Sequence, residues 1–176
     1  MMRLFVALEP TPDFRQALAV LQSRLREAGV AGRYVEPSNL HMTLAFVGMW
    51  PEDISMLLPS VKPSFPITLS CLGVFPEAKV LWAGVQSSEA LHALAGKVRL
   101  ALSNADIPFD RKDFNPHITL VRKPVLPKHV SLSEIEVPPA AMTVHDVCLY
   151  RSDHTENGMM YTVIGRSLAF GETEDH

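Results

Sequence analysis

His41-Met42-Thr43-Leu44 and His117-Ile118-Thr119-Leu120 are one phrase, His-apolar-Thr-Leu, written twice and 76 positions apart. An extended strand turns successive side chains to opposite faces. Each copy, read as a strand, therefore sets His and Thr on one face and buries the two apolar residues on the other. Two such strands facing each other surround one small volume with two imidazoles and two hydroxyls. With 7 histidines and 8 threonines in 176 residues, random placement gives about 0.3 His-x-Thr triplets, and about 0.02 with an apolar middle residue and a following Leu. The repeat is therefore read as a functional constellation, not as two core strands that each happen to carry a histidine.

Working outward, residues 2–8 read as a first strand. Thr11 and Pro12 open a helix as cap and first helical residue. Phe14, Leu18, Leu21, Leu25 and Ala28 form its apolar stripe, and Gly29 closes it. Arg15, Gln16, Arg24 and Arg26 fall on its solvated side. The first motif strand spans 40–47 and ends at Gly48. Pro51-Glu52-Asp53 starts a shorter helix to about Ser60. Residues 67–74 and 79–86 read as a hairpin around Pro76-Glu77-Ala78. A second long helix runs from about Ser88 to Ala105, with Leu91, Leu94, Val98, Ala101 and Ala105 as its stripe. A loop over Asp106–Pro116 leads into the second motif strand, 117–121. Residues 143–151 and 159–164 read as paired strands, 166–170 as a last short strand, and Gly171–His176 as an acidic frayed tail.

Each long helix precedes a motif strand, which points to internal duplication. The expected fold is α+β and bilobal: two pseudo-symmetric lobes of antiparallel sheet, helices on the outside, and a central cleft between the sheets. Residues 1–176 are read as one domain of two interlocked lobes, each contributing one His-x-Thr motif.

The net charge of −3 and a pI near 6.1 argue against a long, sequence-independent grip on nucleic acid, which needs a broad basic surface. They leave room for one nucleotide or one RNA end. No apolar run is long enough to span a membrane, and the N-terminus lacks the pattern of a signal peptide. Cys71 and Cys148 are read as two free buried thiols in a reducing, cytoplasmic setting. No metal-ligand spacing and no glycine-rich phosphate loop occurs, so no cofactor and no metal are expected. A monomer is the default.

Histidine titrates near neutrality, so one imidazole can be neutral while another is charged. Across a phosphate, one deprotonates the nucleophile and the other protonates the leaving oxygen. The Thr43 and Thr119 hydroxyls donate to the non-bridging oxygens. Arg122 could neutralise the phosphate, but its parity is opposite to that of His117 and Thr119. It reaches the cleft only if the strand ends or bulges first; otherwise it is a surface charge. Phe46 shares the parity of Met42 and Leu44, which favours a core role over stacking on a base. Tyr161 fits a substrate contact or a buried strand equally well. The loop charges Asp110, Arg111, Lys112 and Asp113 could rim the cleft, with a solvated loop the preferred reading. His92, His129, His145, His154 and His176 have no partner motif.

His41–Gly48, Phe114–Leu120 with Arg122, the opening Arg3–Leu8, Val80–Val85 and Gly158–Tyr161 together resemble the 2H phosphoesterase superfamily. The resemblance is strongest to its RNA 2′,3′-cyclic phosphodiesterases, also called LigT-like or 2′-5′ RNA ligase proteins, and covers essentially the whole chain. It implies hydrolysis of RNA or nucleoside 2′,3′-cyclic phosphate ends to 2′-phosphates, with reversible 2′-5′ joining of RNA ends as the chemical reverse. It further implies His41 as general acid, His117 as general base, and Thr43, Thr119 and Arg122 as phosphate ligands. Two alternatives stand beside this reading. One is a non-catalytic module that binds nucleotides or RNA ends. The other is a 2H enzyme acting on a linear 2′-5′ oligonucleotide or another small cyclic phosphate.

Overall fold

Thr11 and Ser88 start the same structure twice. Each caps a helix through its side-chain oxygen, which accepts from the backbone N–H three residues on, at Phe14 (3.4 Å) and Leu91 (3.1 Å). A computed structural model describes residues 1–167. In chain order it contains β1 (Met2–Leu8), α1 (Pro12–Glu27), β2 (Ala31–Tyr34), β3 (Met42–Trp50), β4 (Phe65–Phe75), β5 (Val80–Val85), α2 (Glu89–Asn104), β6 (Ile118–Val125), β7 (Ala141–Val144), β8 (Cys148–Thr155) and β9 (Gly158–Arg166).

Two antiparallel sheets form, with strand orders β3-β1-β8-β9 and β2-β6-β5-β4-β7. Leaving β2 aside, the orders superpose. β1 leads through α1 to the motif strand β3 and pairs with it; β5 leads through α2 to the motif strand β6 and pairs with it. The expected bilobal, pseudo-symmetric α+β fold is the one observed.

The helices interlock the halves. The stripe Phe14, Leu18, Leu21 and Leu25 of α1 is fully buried, and α1 packs toward β6 and β7 of the five-stranded sheet. The α2 stripe packs toward β3 of the four-stranded sheet. It runs Leu91, Leu94, Ala95, Val98 and Leu102, ending on Leu102 and not on Ala101 and Ala105 as expected. Burying four such leucine-sized side chains contributes about 1.5–3 kcal/mol each, and each sheet gains this burial from the helix of the other half. One large apolar cluster unites both. A small second cluster, Phe5, Ala7, Cys148 and Tyr150, covers the opposite face of β1 and β8.

Several expectations need correction. The short helix after Pro51 is only a 3-10 turn, Ser55–Leu57. Pro59 drives the residue before it out of the helical region, and Leu58 is extended at ψ 129°. The strand expected over 143–151 is two strands in different sheets: β7 pairs with β4, and β8 pairs with β1 and β9. The exposed edge strand β2 was not foreseen, because Ala-Gly-Arg-Tyr carries no apolar alternation. Both motif strands begin one residue after their histidine, and they continue through Gly48 and Pro124. Cys71 is exposed; only Cys148 is buried, and burial pushes its thiol up to about 12. Of the solvated charges expected on α1, Arg24 donates to the Glu136 carbonyl (2.5 Å) and Arg26 lies over the Tyr34 ring (4.1 Å). Arg15 donates to the Pro37 carbonyl. The last strand expected at 166–170 lies outside the described residues beyond Ser167, as do the tail and His176.

Candidate active site

The motif histidines are oriented in the same way. His41 Nδ1 is 2.7 Å from the Asn39 carbonyl, and His117 Nδ1 is 2.6 Å from the Asn115 carbonyl. A carbonyl only accepts, so each Nδ1 carries a proton and each Nε2 is the nitrogen left free of that anchor. The repeat is thus longer than the four residues that first reveal it: Asn39-Leu40-His41 and Asn115-Pro116-His117 share the Asn as well. That signal was legible in the sequence and was missed. The Asn39 amide also donates to the Met159 carbonyl (2.8 Å), and its oxygen accepts from the Tyr161 N–H (3.2 Å). These bonds tie the His41 loop to β9.

Both histidines, both threonines and Arg122 line one open cleft of about 890 Å³. Arg122 reaches it by the bulge that its parity required. Along β6, Val121 pairs with Leu81 and Thr119 pairs with Trp82, so Leu120 is skipped. The extra residue returns Arg122 to the face of Thr119. β3 has the same irregularity at the same place: Ala45 pairs with Val6 and Thr43 with Ala7, so Leu44 is skipped. This bulge corrects the reading of Phe46. It shifts that ring off the core parity, and Phe46 is half-buried at the cleft wall beside the small cluster of Phe5 and Tyr150.

The two imidazoles sit in different surroundings. Phe5 (4.7 Å), Tyr161 (5.2 Å) and Tyr150 (5.7 Å) surround the His41 ring, so Tyr161 packs on a site histidine. His117 rests against Phe75 (5.0 Å) and, farther off, Trp82 (6.5 Å). A Cβ on Gly73 would lie 2.2 Å from the Trp82 ring, so glycine is what lets the indole lie flat on β4. None of these aromatic neighbours except Tyr161 was singled out beforehand; their sequence separations hide them. Of the other histidines, His92 meets Phe114 edge to face (5.3 Å), His154 is exposed against Met159, and His129 and His145 are exposed. Among the described residues, no three His, Cys, Asp or Glu side chains cluster as a metal ion requires. Among the same residues, no helix is long and apolar enough to cross a membrane.

Burial pulls His41 down to about 4 against its ordinary 6.5; the Asn39 carbonyl opposes this, while Arg122 and His117 add to it. The neutral ring of His41 is therefore the favoured form at pH 7 in the protein alone. The unfolded chain takes up this proton near 6.5 and the folded chain resists to about 4. Stability from this group is thus complete above 6.5 and is lost as pH falls from 6.5 to 4, by up to about 3 kcal/mol. A phosphate anion acts oppositely to Arg122 and favours the imidazolium. Ring-nitrogen NMR is expected to give His41 a midpoint near 4 in the free protein and a higher one in inorganic phosphate. A free midpoint at 6.5 would mean the ring is solvated.

Paired His-x-Thr strands facing one cleft between two antiparallel sheets define a 2H phosphoesterase. The chain belongs to the 2′-5′ RNA ligase superfamily, whose family model matches residues 12–156. It is 33% identical to an RNA 2′,3′-cyclic phosphodiesterase of Archaeoglobus fulgidus, over 91% of this chain and 96% of that protein. It is 29% identical to the enzyme of the same name from Thermotoga maritima, over 93% of each. Among solved structures, Escherichia coli LigT complexed with 3′-AMP superposes with a TM-score of 0.78 at 26% identity, covering 97% of this chain and 99% of LigT.

Proposed function

We propose that this chain hydrolyses 2′,3′-cyclic phosphate ends of RNA or nucleosides to 2′-phosphates. The observation that carries the reading is the matched pair of imidazoles, each tautomer held by the carbonyl two residues earlier, lining one cleft with Arg122. The names of the relatives and the 3′-AMP held by LigT support the substrate class.

In this mechanism Arg122 and the Thr43 and Thr119 hydroxyls hold the non-bridging oxygens. His117 Nε2 takes a proton from water as the water oxygen bonds to phosphorus. The bond from phosphorus to O3′ breaks, and His41 Nε2–H protonates that oxygen. A 2′-phosphomonoester and a free 3′-hydroxyl leave; solvent then returns His117 and His41 to their starting states. Burial favours the neutral His41 ring, so its acid role requires that the bound phosphate bring the proton onto it.

The test is an oligoribonucleotide ending in a 2′,3′-cyclic phosphate, incubated with the purified protein and a chelator. The expected product is a phosphatase-sensitive end with the mass of the opened ring, identified as the 2′-phosphate by comparison with authentic 2′- and 3′-phosphate ends. RNA bound without turnover would make the cleft a binding module. Cleavage of only a linear 2′-5′ linkage would reassign the substrate.

A further inference from the structure

The two bulges are each held by a side chain from the other half of the molecule. Gln22 on α1 donates from Nε2 to the Leu120 carbonyl of β6 (3.1 Å) and to the Val35 carbonyl (2.7 Å). Arg99 on α2 donates from Nε to the Leu44 carbonyl of β3 (3.2 Å) and from Nη1 to the Lys112 carbonyl (2.7 Å). Leu44 and Leu120 are the skipped residues of the two ladders. Gln22 stands 11 positions after the cap Thr11, and Arg99 stands 11 positions after the cap Ser88. The same helix position thus serves the same motif carbonyl, crosswise, in both halves.

We propose that Gln22 and Arg99 are positioning residues that hold these bulges, and through them aim the phosphate ligands of the cleft. The proposal rests on the function given above. The Leu120 carbonyl also accepts from the Val35 N–H (2.9 Å), so Gln22, bonded to the carbonyls of both residues, clamps this seam as a second donor. At Leu44, on the edge strand β3, Arg99 brings a side-chain donor to the bulge carbonyl, and a buried carbonyl without a donor is costly. Gln22 is only 2% exposed, so its amide hydrogens must find acceptors inside the protein, and the two carbonyls are those acceptors. Without the bulge at Leu120, Arg122 turns to the far face of the sheet. Without the one at Leu44, Phe46 leaves the cleft wall. Arg99 adds a second link. Through Lys112 it ties β3 to the loop that ends in Asn115 and His117, and the Asp110 N–H donates to the Phe46 carbonyl (2.8 Å) along the same seam.

A positioning role differs from a merely structural one in its coupling. Affinity for inorganic phosphate is measured by calorimetry for the wild type, Gln22→Met, Arg122→Ala and the double variant. Gln22→Met is expected to weaken phosphate about 10- to 100-fold. In the Arg122→Ala background it is expected to cost nothing further, because the residue it aims is gone. A full additional loss in the double variant, or wild-type affinity in Gln22→Met, overturns the proposal. A thermal melt checks that each variant folds. Should Gln22→Met fail to fold, Arg99→Met carries the same cycle with Thr43→Val, since Arg99 is only half-buried. There an additive loss means that Arg99 touches phosphate itself or merely supports the fold, and no loss means that it does nothing for the site; either overturns the proposal. Phosphate binding is read without turnover. A protein that shows the coupled cycle but leaves cyclic phosphate intact therefore refutes the functional reading and not this one.

Discussion

Alanine at His41 or at His117 is expected to lower kcat for cyclic-phosphate opening by about 100- to 10,000-fold, the range for loss of a general acid or base. Both together are expected to cost little more than either alone, because the two act in one transition state and their losses do not add. The physical basis is that each ring has a fixed orientation. Nδ1 is committed to the carbonyl of Asn39 or Asn115, so only Nε2 can exchange a proton with substrate. Steady-state kinetics on a nucleoside 2′,3′-cyclic phosphate decides the matter. Retention of substantial kcat by either single variant would remove that histidine from the chemistry. Stability should separate the two sites: His41 packs among three aromatic rings, so His41→Ala is expected to lower Tm more than His117→Ala does.

Arg122→Ala is expected to lower kcat/KM by about 100-fold, the loss typical of one donor aimed at developing charge. Arg122→Lys is expected to recover only part of it. The guanidinium presents a planar fork that matches two phosphate oxygens, whereas the ammonium is a point charge. The alanine variant has a second signature. Arg122 is one of the charges holding His41 low, so its removal should raise the His41 midpoint. Initial rates on the cyclic nucleotide, with ring-nitrogen NMR on the same samples, read both effects. An unchanged kcat/KM in Arg122→Ala would leave it as a surface charge at the strand edge.

The constellation was legible because it is local. His-x-Thr-Leu needs only the two-residue period of a strand to place His and Thr together, and Thr11-Pro12 and Ser88 needed only helix-capping chemistry. Parity then fails at the first bulge. Phe46 was expected in the core, and Arg122 could be brought to the cleft only conditionally, for one reason: a period of two cannot be carried past a skipped residue. The short helix after Pro51 failed because the start signal Pro51-Glu52-Asp53 was carried on to Ser60 without the effect of Pro59 on Leu58. The strand at 143–151 failed because a chain that changes sheets keeps its apolar character while changing partners.

By itself, then, the sequence determined the paired His-x-Thr strands, the two capped helices, the duplicated α+β plan and the class of chemistry, all properties of contiguous residues. The tertiary structure alone decided which side chains face the cleft beyond each motif, which helix packs on which sheet, and how far His41 departs from ordinary titration. Those outcomes depend on donors such as Gln22 and Arg99, 98 and 55 residues from the carbonyls they satisfy, and on aromatic rings brought to His41 from three strands. Hydrogen bonding and desolvation act through space, and no local pattern encodes them.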